Sequence, residues 1–572
     1  MFEKENLKMN RHCADRIGSS SLLIDTVGLI AVVILALLMR FHAITIPAVW
    51  YDEAFSLLLA RETPWEIWPI TARDVHPPLY YVLLHYWMLL VGDDVLSARS
   101  LSVLADVGTL LLSIKLMSLV ATRRATWIAA LLLALLPISI RYSQEVRMYT
   151  MVSFWLMGAT VALVCWVKAP DKKRFATLYV LLMTAAFYTH YFAALCVLVH
   201  WLFWFRVRHV RAAVLPVRAW VLANSAIVVL FLPWMSHFIR QLQRRDGLDW
   251  IPPLTWQTVL NTVWPFTVMN DSVPVTSWWR VVPTLLILVC AATLLVKDPK
   301  ERGYNILLVG YFFVPVLIVY ILSLWVPIFS ARYLTFAAVG LPLIVAVALD
   351  AWGIRRRVLT VAAMFFFLVG ETQGLLAVYQ QTDGLNGTAV RRETRLDILA
   401  ARIAREVRPD DEIVVDGMFW YLPFKYYNAT GIQPRIYVYR YPTDESREPY
   451  SFGGWALALQ RGAGRYFDDI STLKLNAGRI WWVTGKVNAN HARLFPKHWK
   501  QTLRLDGGGV EASLFILDAA PAPLAAGPKR SDFPAMACCA YWRADTDRAI
   551  FSGEVLGIRT PYESQTRPIA GP

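Results

Sequence analysis

The sequence predicts a polytopic all-α membrane domain followed by a smaller water-soluble α/β domain, on three observations. Of the 572 residues, 56% are hydrophobic and only 17% charged, against about 25% charged in a typical soluble domain. Apolar stretches of membrane-spanning length recur from Ser21 to about Leu375. From Arg391 onward the pattern changes to short alternating helical and strand-like runs. The boundaries that follow are a cytoplasmic N-terminus at 1–21, a transmembrane domain at 22–375 with an acidic outer loop at 43–94, a soluble α/β domain at 391–520 and a poorly ordered tail at 521–572.

The first apolar run, Leu22 to Met39, follows Lys4, Lys8, Arg11 and Arg16. No small-residue cleavage pattern comes after it, so the sequence favours an uncleaved first span over a signal peptide. Basic loops recur at Arg123-Arg124, Lys168 to Arg174, Arg206 to Arg218, Lys297 to Arg302 and Arg355 to Arg357. The bias of Lys and Arg toward cytoplasmic loops puts all of them, with the N-terminus, on one side. Eleven spans then fit, near 22–42, 95–120, 125–140, 147–167, 175–192, 193–206, 218–236, 281–296, 303–325, 333–352 and 357–375. The segment Leu79 to Val91 has thirteen residues and rises only about 20 Å as a helix, short of the roughly 30 Å hydrocarbon core. It reads as a juxtamembrane helix, because counting it as a crossing would turn most later basic loops outward.

The net charge of +15 sits in these short loops, where it orients helices, so no nucleic-acid partner is expected. Six cysteines show no CxxC spacing, and three of them, Cys165, Cys196 and Cys290, lie within apolar spans as small buried hydrophobes. This assignment gathers the chemically interesting polar residues on the outer face of a multi-pass protein of the cell (inner) membrane, together with the C-terminal domain.

Asp52 and Glu53 leave the first span beside Trp50 and Tyr51, which suit an aromatic interface belt. A carboxylate there can act as a general base, while a helix start that simply favours acids is the plainer alternative. Thr63-Pro64-Trp65-Glu66 carries a helix start with a capping box. Asp74-Val75-His76-Pro77-Pro78 sets a rigid turn, and Asp74 and His76 either bind an acceptor and orient Asp52 or merely enter a helix. The run Arg141 to Tyr149 is the densest polar stretch at membrane depth. Its Arg141 and Arg147 can hold a phosphate, with Glu145 orienting them or binding a metal, or the run can be an Arg–Glu clamp between helices. His190 and Arg332-Tyr333 occupy two further outer turns, with Arg332 a third phosphate contact. Asp106 and Lys115, inside the second span, are assigned to packing.

Taken together, YDEAFS, DVHPPLYY, RYSQEVRMYT, YTHYF and ARYLTF, in this order, resemble the GT-C fold glycosyltransferases of family 39. That group includes protein O-mannosyltransferases and the aminoarabinose transferase of lipid A. The resemblance covers about 20–370 and implies inverting sugar transfer from a polyprenyl-phosphate donor on the outer face, to a cell-envelope glycan, lipid or protein. It makes Asp52 the base that deprotonates the acceptor, Glu53 its neighbour in the acidic pair, and Arg147 and Arg332 the donor-phosphate contacts. Glu145 stands in the second acidic position, where a single Glu leaves a divalent metal open. No other cofactor is implied, and no nucleotide, consistent with the absence of a glycine-rich phosphate loop.

The soluble part reads as a helix at Leu396 to Val407, a strand at Glu412 to Asp416, a helical run at Trp420 to Tyr427 and strands at Arg435 to Tyr439 and Arg479 to Thr484. A helix at Ala489 to Trp499 and a hairpin across Asp506 to Gly509 follow. It serves either to bind the acceptor or to cover the site. The rival from another class is a transporter or flippase of a lipid-linked glycan. Against it, the spans show no inverted repeat, and the polar residues gather at one face instead of the midplane.

Overall fold

The computed structural model describes residues 23–210, 215–243, 251–297, 302–353, 356–385, 388–438, 453–458, 466–467, 470, 478–486, 495 and 499–517. The expected N-terminal segment 1–21 and tail 521–572 lie outside them. The first span is α1 (Leu23–Phe41). The loop after α1 folds into three helices, α2 (Tyr51–Ala60), α3 (Pro64–Arg73) and α4 (Leu79–Val91). The bundle continues through α5 (Val95–Val120), α6 (Arg123–Leu135), α7 (Pro137–Ser143), α8 (Tyr149–Lys168), α9 (Lys173–Phe187), α10 (Ala193–Val210) and α11 (Val217–Leu242). Two short helices, α12 (Trp256–Leu260) and α13 (Trp264–Thr267), precede α14 (Val282–Lys297), α15 (Arg302–Ser323), α16 (Thr335–Ala338), α17 (Gly340–Trp352) and α18 (Arg357–Tyr379).

All eleven expected segments are helical, although the expected number of crossings is not reproduced by length and apolarity alone. Among the described residues eight helices are long and apolar enough to cross a membrane, or nine if α6 and α7 form one bent span. The helices α9 and α10 fall outside that set. The bend between α6 and α7 is 49°, and its cause is Pro137, which forces Leu136 out of helical geometry (φ −58°, ψ 111°). The expected helix start at Thr63 is present: the Glu66 carboxylate accepts from Thr63 N at 3.0 Å and from Thr63 Oγ1 at 2.8 Å. Asp94 caps α5 by accepting from Leu96 N and Ser97 N.

At one end of the bundle Arg123 of α6 pairs with Asp25 of α1 at 2.8 Å, and Arg124 lies 3.9 Å from Asp350 of α17. Inside the bundle, Arg40 and Asp106 form a buried pair at 2.5 Å, each side chain 1% exposed. Ser139 donates to the second Asp106 oxygen at 2.7 Å, so Asp106 has the packing role expected of it. Gly374 of α18 sits where an added Cβ would meet the Thr267 carbonyl and the Pro137 ring, which is what lets α18 pack on α7 and α13.

The soluble domain begins with α19 (Thr388–Glu393) and α20 (Leu396–Glu406) and continues with β1 (Glu412–Asp416), α21 (Met418–Tyr427), β2 (Arg435–Tyr437) and α22 (Gly454–Ala458). It closes with β3 (Tyr466–Phe467), β4 (Arg479–Gly485), β5 (Trp499–Asp506) and β6 (Val510–Leu517). One sheet of order β3-β2-β1-β4-β6-β5 results, parallel among its first four strands and antiparallel at β6 and β5. The continuous apolar run Ile413-Val414-Val415 in β1 is buried throughout, as a central parallel strand requires. The hairpin at 506–509 is where it was expected. Trp499, expected to end a helix, starts β5 instead, stacked on Phe495 at 5.4 Å and pairing with Leu517. Positions 489–494 of that expected helix are outside the described residues.

Candidate active site

The acidic pair at the start of α2 splits. Consecutive helical residues point about 100° apart, so one carboxylate turns inward and the other keeps an exposed edge. Glu53 is fully buried and accepts a two-pronged bond from Arg99 of α5, Nε at 2.9 Å and Nη2 at 2.8 Å. It also accepts from Val146 N at 3.0 Å. Asp52 keeps 20% of its side chain exposed, and its Oδ2 lies 3.0 Å from Arg332 Nη1. Sequence reasoning gave both residues to the chemistry, yet the Glu53 contacts are all with protein groups that hold the start of α2 in place.

The turn after α7 carries the second polar run. Arg141 Nη1 donates to Glu145 Oε1 at 2.7 Å, and Arg141 Nε donates to Asp383 Oδ2 at 3.1 Å. Arg391 of α19 donates to Glu145 at 2.6 Å and to Glu53 at 3.4 Å. Arg99, Glu53, Arg391, Glu145, Arg141 and Asp383 thereby form one buried, alternating chain of charge. Burial alone would raise the Glu145 carboxyl, but Arg141 and Arg391 outweigh it and hold the group below the usual carboxylate range. Arg141, expected to grip a phosphate, is occupied by two carboxylates and only 5% exposed, the geometry of the clamp. Glu145, expected near an acceptor or metal, lies in the same buried chain.

Arg147 faces the other way. Its Nη1 is 3.2 Å from Ser56 Oγ, 3.4 Å from the Asp52 carbonyl and 3.5 Å from the Tyr81 hydroxyl, and its guanidinium lies 6.0 Å from the Tyr149 ring. Arg332 lies 5.2 Å from the Tyr333 ring. Tyr333 packs against His190 at 5.4 Å and Tyr149 at 6.3 Å, and His190 packs against His76 at 5.8 Å. His76 Nδ1 is 3.4 Å from Asp74 Oδ2. Burial lowers the His76 pKa below its ordinary value, against the opposing hydrogen bond that its Nδ1 makes to the Asp74 carboxylate. Asp52, Arg147, Arg332, Tyr333, His190, His76 and Asp74 thus belong to one contiguous set, with Glu53, Glu145 and Arg141 in the layer beneath. Among the described residues no three His, Cys, Asp or Glu side chains converge to hold a metal ion.

No protein-family model and no curated protein sequence matches the chain. Among solved structures it resembles ArnT from Cupriavidus metallidurans in the apo state, with a TM-score of 0.59 and 12% identity over 86% of this chain and 98% of that one. The same ArnT bound to undecaprenyl phosphate superposes with a TM-score of 0.54 over the same shares, also at 12% identity. The apo Archaeoglobus fulgidus oligosaccharyltransferase gives 0.48, at 13% identity over 72% of this chain and 64% of that one. The fold is that of the GT-C glycosyltransferases.

Within this GT-C frame, three residues that sequence reasoning passed over complete the site's foundation. Arg99, four positions into an apolar span, carried a signal, since an ionisable group inside a span marks a partner or a site. Arg391 and Asp383 carried none, because both stand in ordinary polar sequence after the last span. The soluble domain also closes on α2. The Tyr51 hydroxyl accepts from Gly454 N at 2.9 Å, the Tyr51 ring stacks on Phe419 at 5.8 Å, and Val49 N donates to the Tyr427 hydroxyl at 2.8 Å.

Proposed function

We propose that this protein is an inverting glycosyltransferase that moves a sugar from a polyprenyl-phosphate carrier to a hydroxyl acceptor on the outer face of the membrane. The observation that carries the reading is the convergence on one partly open carboxylate, Asp52, of two arginines from distant parts of the chain. Arg332 meets its side chain and Arg147 its backbone. In the reaction, Asp52 takes the proton of the acceptor hydroxyl while the acceptor oxygen attacks the anomeric carbon. The bond from that carbon to the phosphate oxygen breaks, and the polyprenyl monophosphate leaves as an anion that Arg147 and Arg332 stabilise.

Glu53 and Glu145 act as positioning residues through Arg99, Arg391 and Arg141. Asp74, His76 and His190 face the acceptor, with the His76 imidazole kept neutral near pH 7 by burial. Undecaprenyl phosphate bound to ArnT, a protein of the same fold, supports a lipid-phosphate donor here. The basic helix ends around Arg123 lie at the start of α1 and the site beyond its end, which supports an outward-facing site.

The test is transfer of radiolabelled sugar from synthetic polyprenyl-phosphate sugars to an envelope extract by the purified protein. Wild type transfers label from at least one donor, and Asp52→Asn slows transfer by a factor of 100 or more, on the order of the 10²–10⁴ contributed by a positioned base. Full transfer by Asp52→Asn overturns the base assignment, and no transfer from any donor overturns the transferase reading.

A further inference from the structure

Beside the reaction centre lies a concavity. It has a volume of about 130 Å³ and is lined by Tyr142, Asn261, Trp264, Asp271, Arg280 and the turn Phe329 to Ala331. A cavity of roughly 150 Å³ accepts a benzene molecule, so this one has room for about one six-membered ring. Three aromatic side chains, Tyr142, Trp264 and Phe329, stand among the prolines and aliphatic residues of its walls, and aromatic faces are the surface that the C–H faces of a sugar ring favour. Asn261 supplies a directed polar group: its side-chain amide donates to the Val275 carbonyl at 3.0 Å. Its Oδ1 is buried without a hydrogen-bond partner among the described residues and is therefore costly unless a hydroxyl donates to it. The charges at the cavity are already matched, Arg280 against Asp271 at 3.6 Å and Asp383 against Arg141 at 3.1 Å. A neutral, hydroxylated ring suits such a lining better than an anion does.

The cavity is next to the reaction centre but separate from it. Ala331 lines it and the following residue, Arg332, pairs with Asp52. Tyr142 forms another wall, and its ring packs on Tyr149 at 5.0 Å. Neither Asp52, Arg147 nor Arg332 itself lines the cavity. On the transferase reading, the donor's single sugar must lie between Asp52 and the two arginines, so a ring held here belongs to the other substrate. We infer that this cavity is an acceptor subsite for one neutral sugar ring, and that the acceptor is a glycan or glycolipid. The inference rests on the proposed function for the word acceptor, but the ring-binding site stands or falls by binding alone.

The experiment titrates the methyl glycosides of glucose, mannose, galactose and N-acetylglucosamine into the full-length protein in lipid nanodiscs free of sugar detergents, read by saturation-transfer NMR. At least one glycoside saturates; Asn261→Ala, which removes the acceptor oxygen, weakens it about fivefold or more, the scale of one hydrogen bond, while the near-isosteric Asn261→Asp, which keeps an acceptor oxygen, binds more tightly than Asn261→Ala. Trp264→Phe weakens it as well, while Asp52→Asn leaves it within twofold. Failure of every glycoside to bind, or binding indifferent to Asn261→Ala, overturns the subsite. Loss of binding in Asp52→Asn also overturns it, by placing the ring in the reaction centre. Glycoside binding in a protein that transfers no sugar keeps the ring site and sinks the transferase reading instead.

Discussion

Arg391 is the residue through which the soluble domain reaches the buried charges, and replacing it with methionine isolates that role. The unbranched methionine side chain occupies much of the arginine stem's volume and deletes the guanidinium that lies 2.6 Å from Glu145 and 3.4 Å from Glu53. Three arginines and three carboxylates balance in the wild type; the variant leaves two against three. Removing one partner of a buried ion pair costs about 3–5 kcal/mol. Here Glu53 keeps both prongs of Arg99 and Glu145 keeps Arg141, so the loss belongs near the lower figure, about 3 kcal/mol. For a chain of this length that is a fall in Tm of roughly 5 °C at most. The assay is thermal unfolding in detergent of Arg391→Met, Glu145→Gln and the double variant. The double variant restores the balance of charge, so its loss is smaller than the sum of the two single losses. A melting curve for Arg391→Met within 1 °C of wild type, or strictly additive losses, would refute the network.

Asp106→Asn strands Arg40 on the carbonyls of Ala134 and Ala36 and costs about 3 kcal/mol or more; yield and Tm fall, and the added substitution Arg40→Met recovers part of the loss. Gly374→Ala pushes a methyl group into the Pro137 ring, whose Cγ would lie 2.5 Å from it, and overpacking of this kind costs about 1–3 kcal/mol, seen as a lower Tm. For His76 the folded-state value is lowered below the unfolded value of about 6.5. The unfolded chain therefore binds the proton first, and the stability contributed by the neutral imidazole is complete above about pH 6.5 and lost as pH falls below it. Melting from pH 7.5 to 5.5 shows the decline, and His76→Gln flattens it; an unchanged slope in that variant rejects the assignment.

The sequence was most legible where one physical signal dominates. Apolar length found the eleven long segments of the bundle, though not the short helices α12 and α13 or the break between α6 and α7, and the Thr63-to-Glu66 spacing found the start of α3. The alternation of helical and β-branched runs found β1 and β4 within a residue. Pro137 stood visible inside an apolar stretch, yet only the structure shows that it bends the chain, and that Arg147 then lies against Asp52 and Ser56 while Arg141 is held by Glu145 and Asp383. That separation of two arginines six residues apart was unreadable, because the sequence shows which groups are charged and not which have partners. Glu53 is the same case: its acidity was plain, but one of its two arginine partners, Arg391, lies 338 positions along the chain. The strand at Trp499 was missed because β5 alternates toward solvent, with Lys500, Gln501 and Thr502 exposed, so that it lacks the continuous apolar run that revealed β1.

The position of Asp52 is determined from two directions at once. From the bundle, Arg99 and Val146 N fix Glu53, and through the helix geometry the residue before it. From the soluble domain, Tyr427 holds Val49, Gly454 and Phe419 hold Tyr51, and Arg391 reaches Glu53 itself. The five residues from Val49 to Glu53 are therefore shared between the two folding units, although only Asp52 among them keeps its carboxylate on an exposed edge. A base on a helix N-terminus that only the bundle held would be free to fray, since the first turn lacks internal partners for its N–H groups. Contacts from the second domain instead hold the residues at and just before that turn through Val49, the Tyr51 side chain and the Glu53 carboxylate. On the transferase reading, the soluble domain then contributes to catalysis by fixing the aim of a base that it does not itself carry.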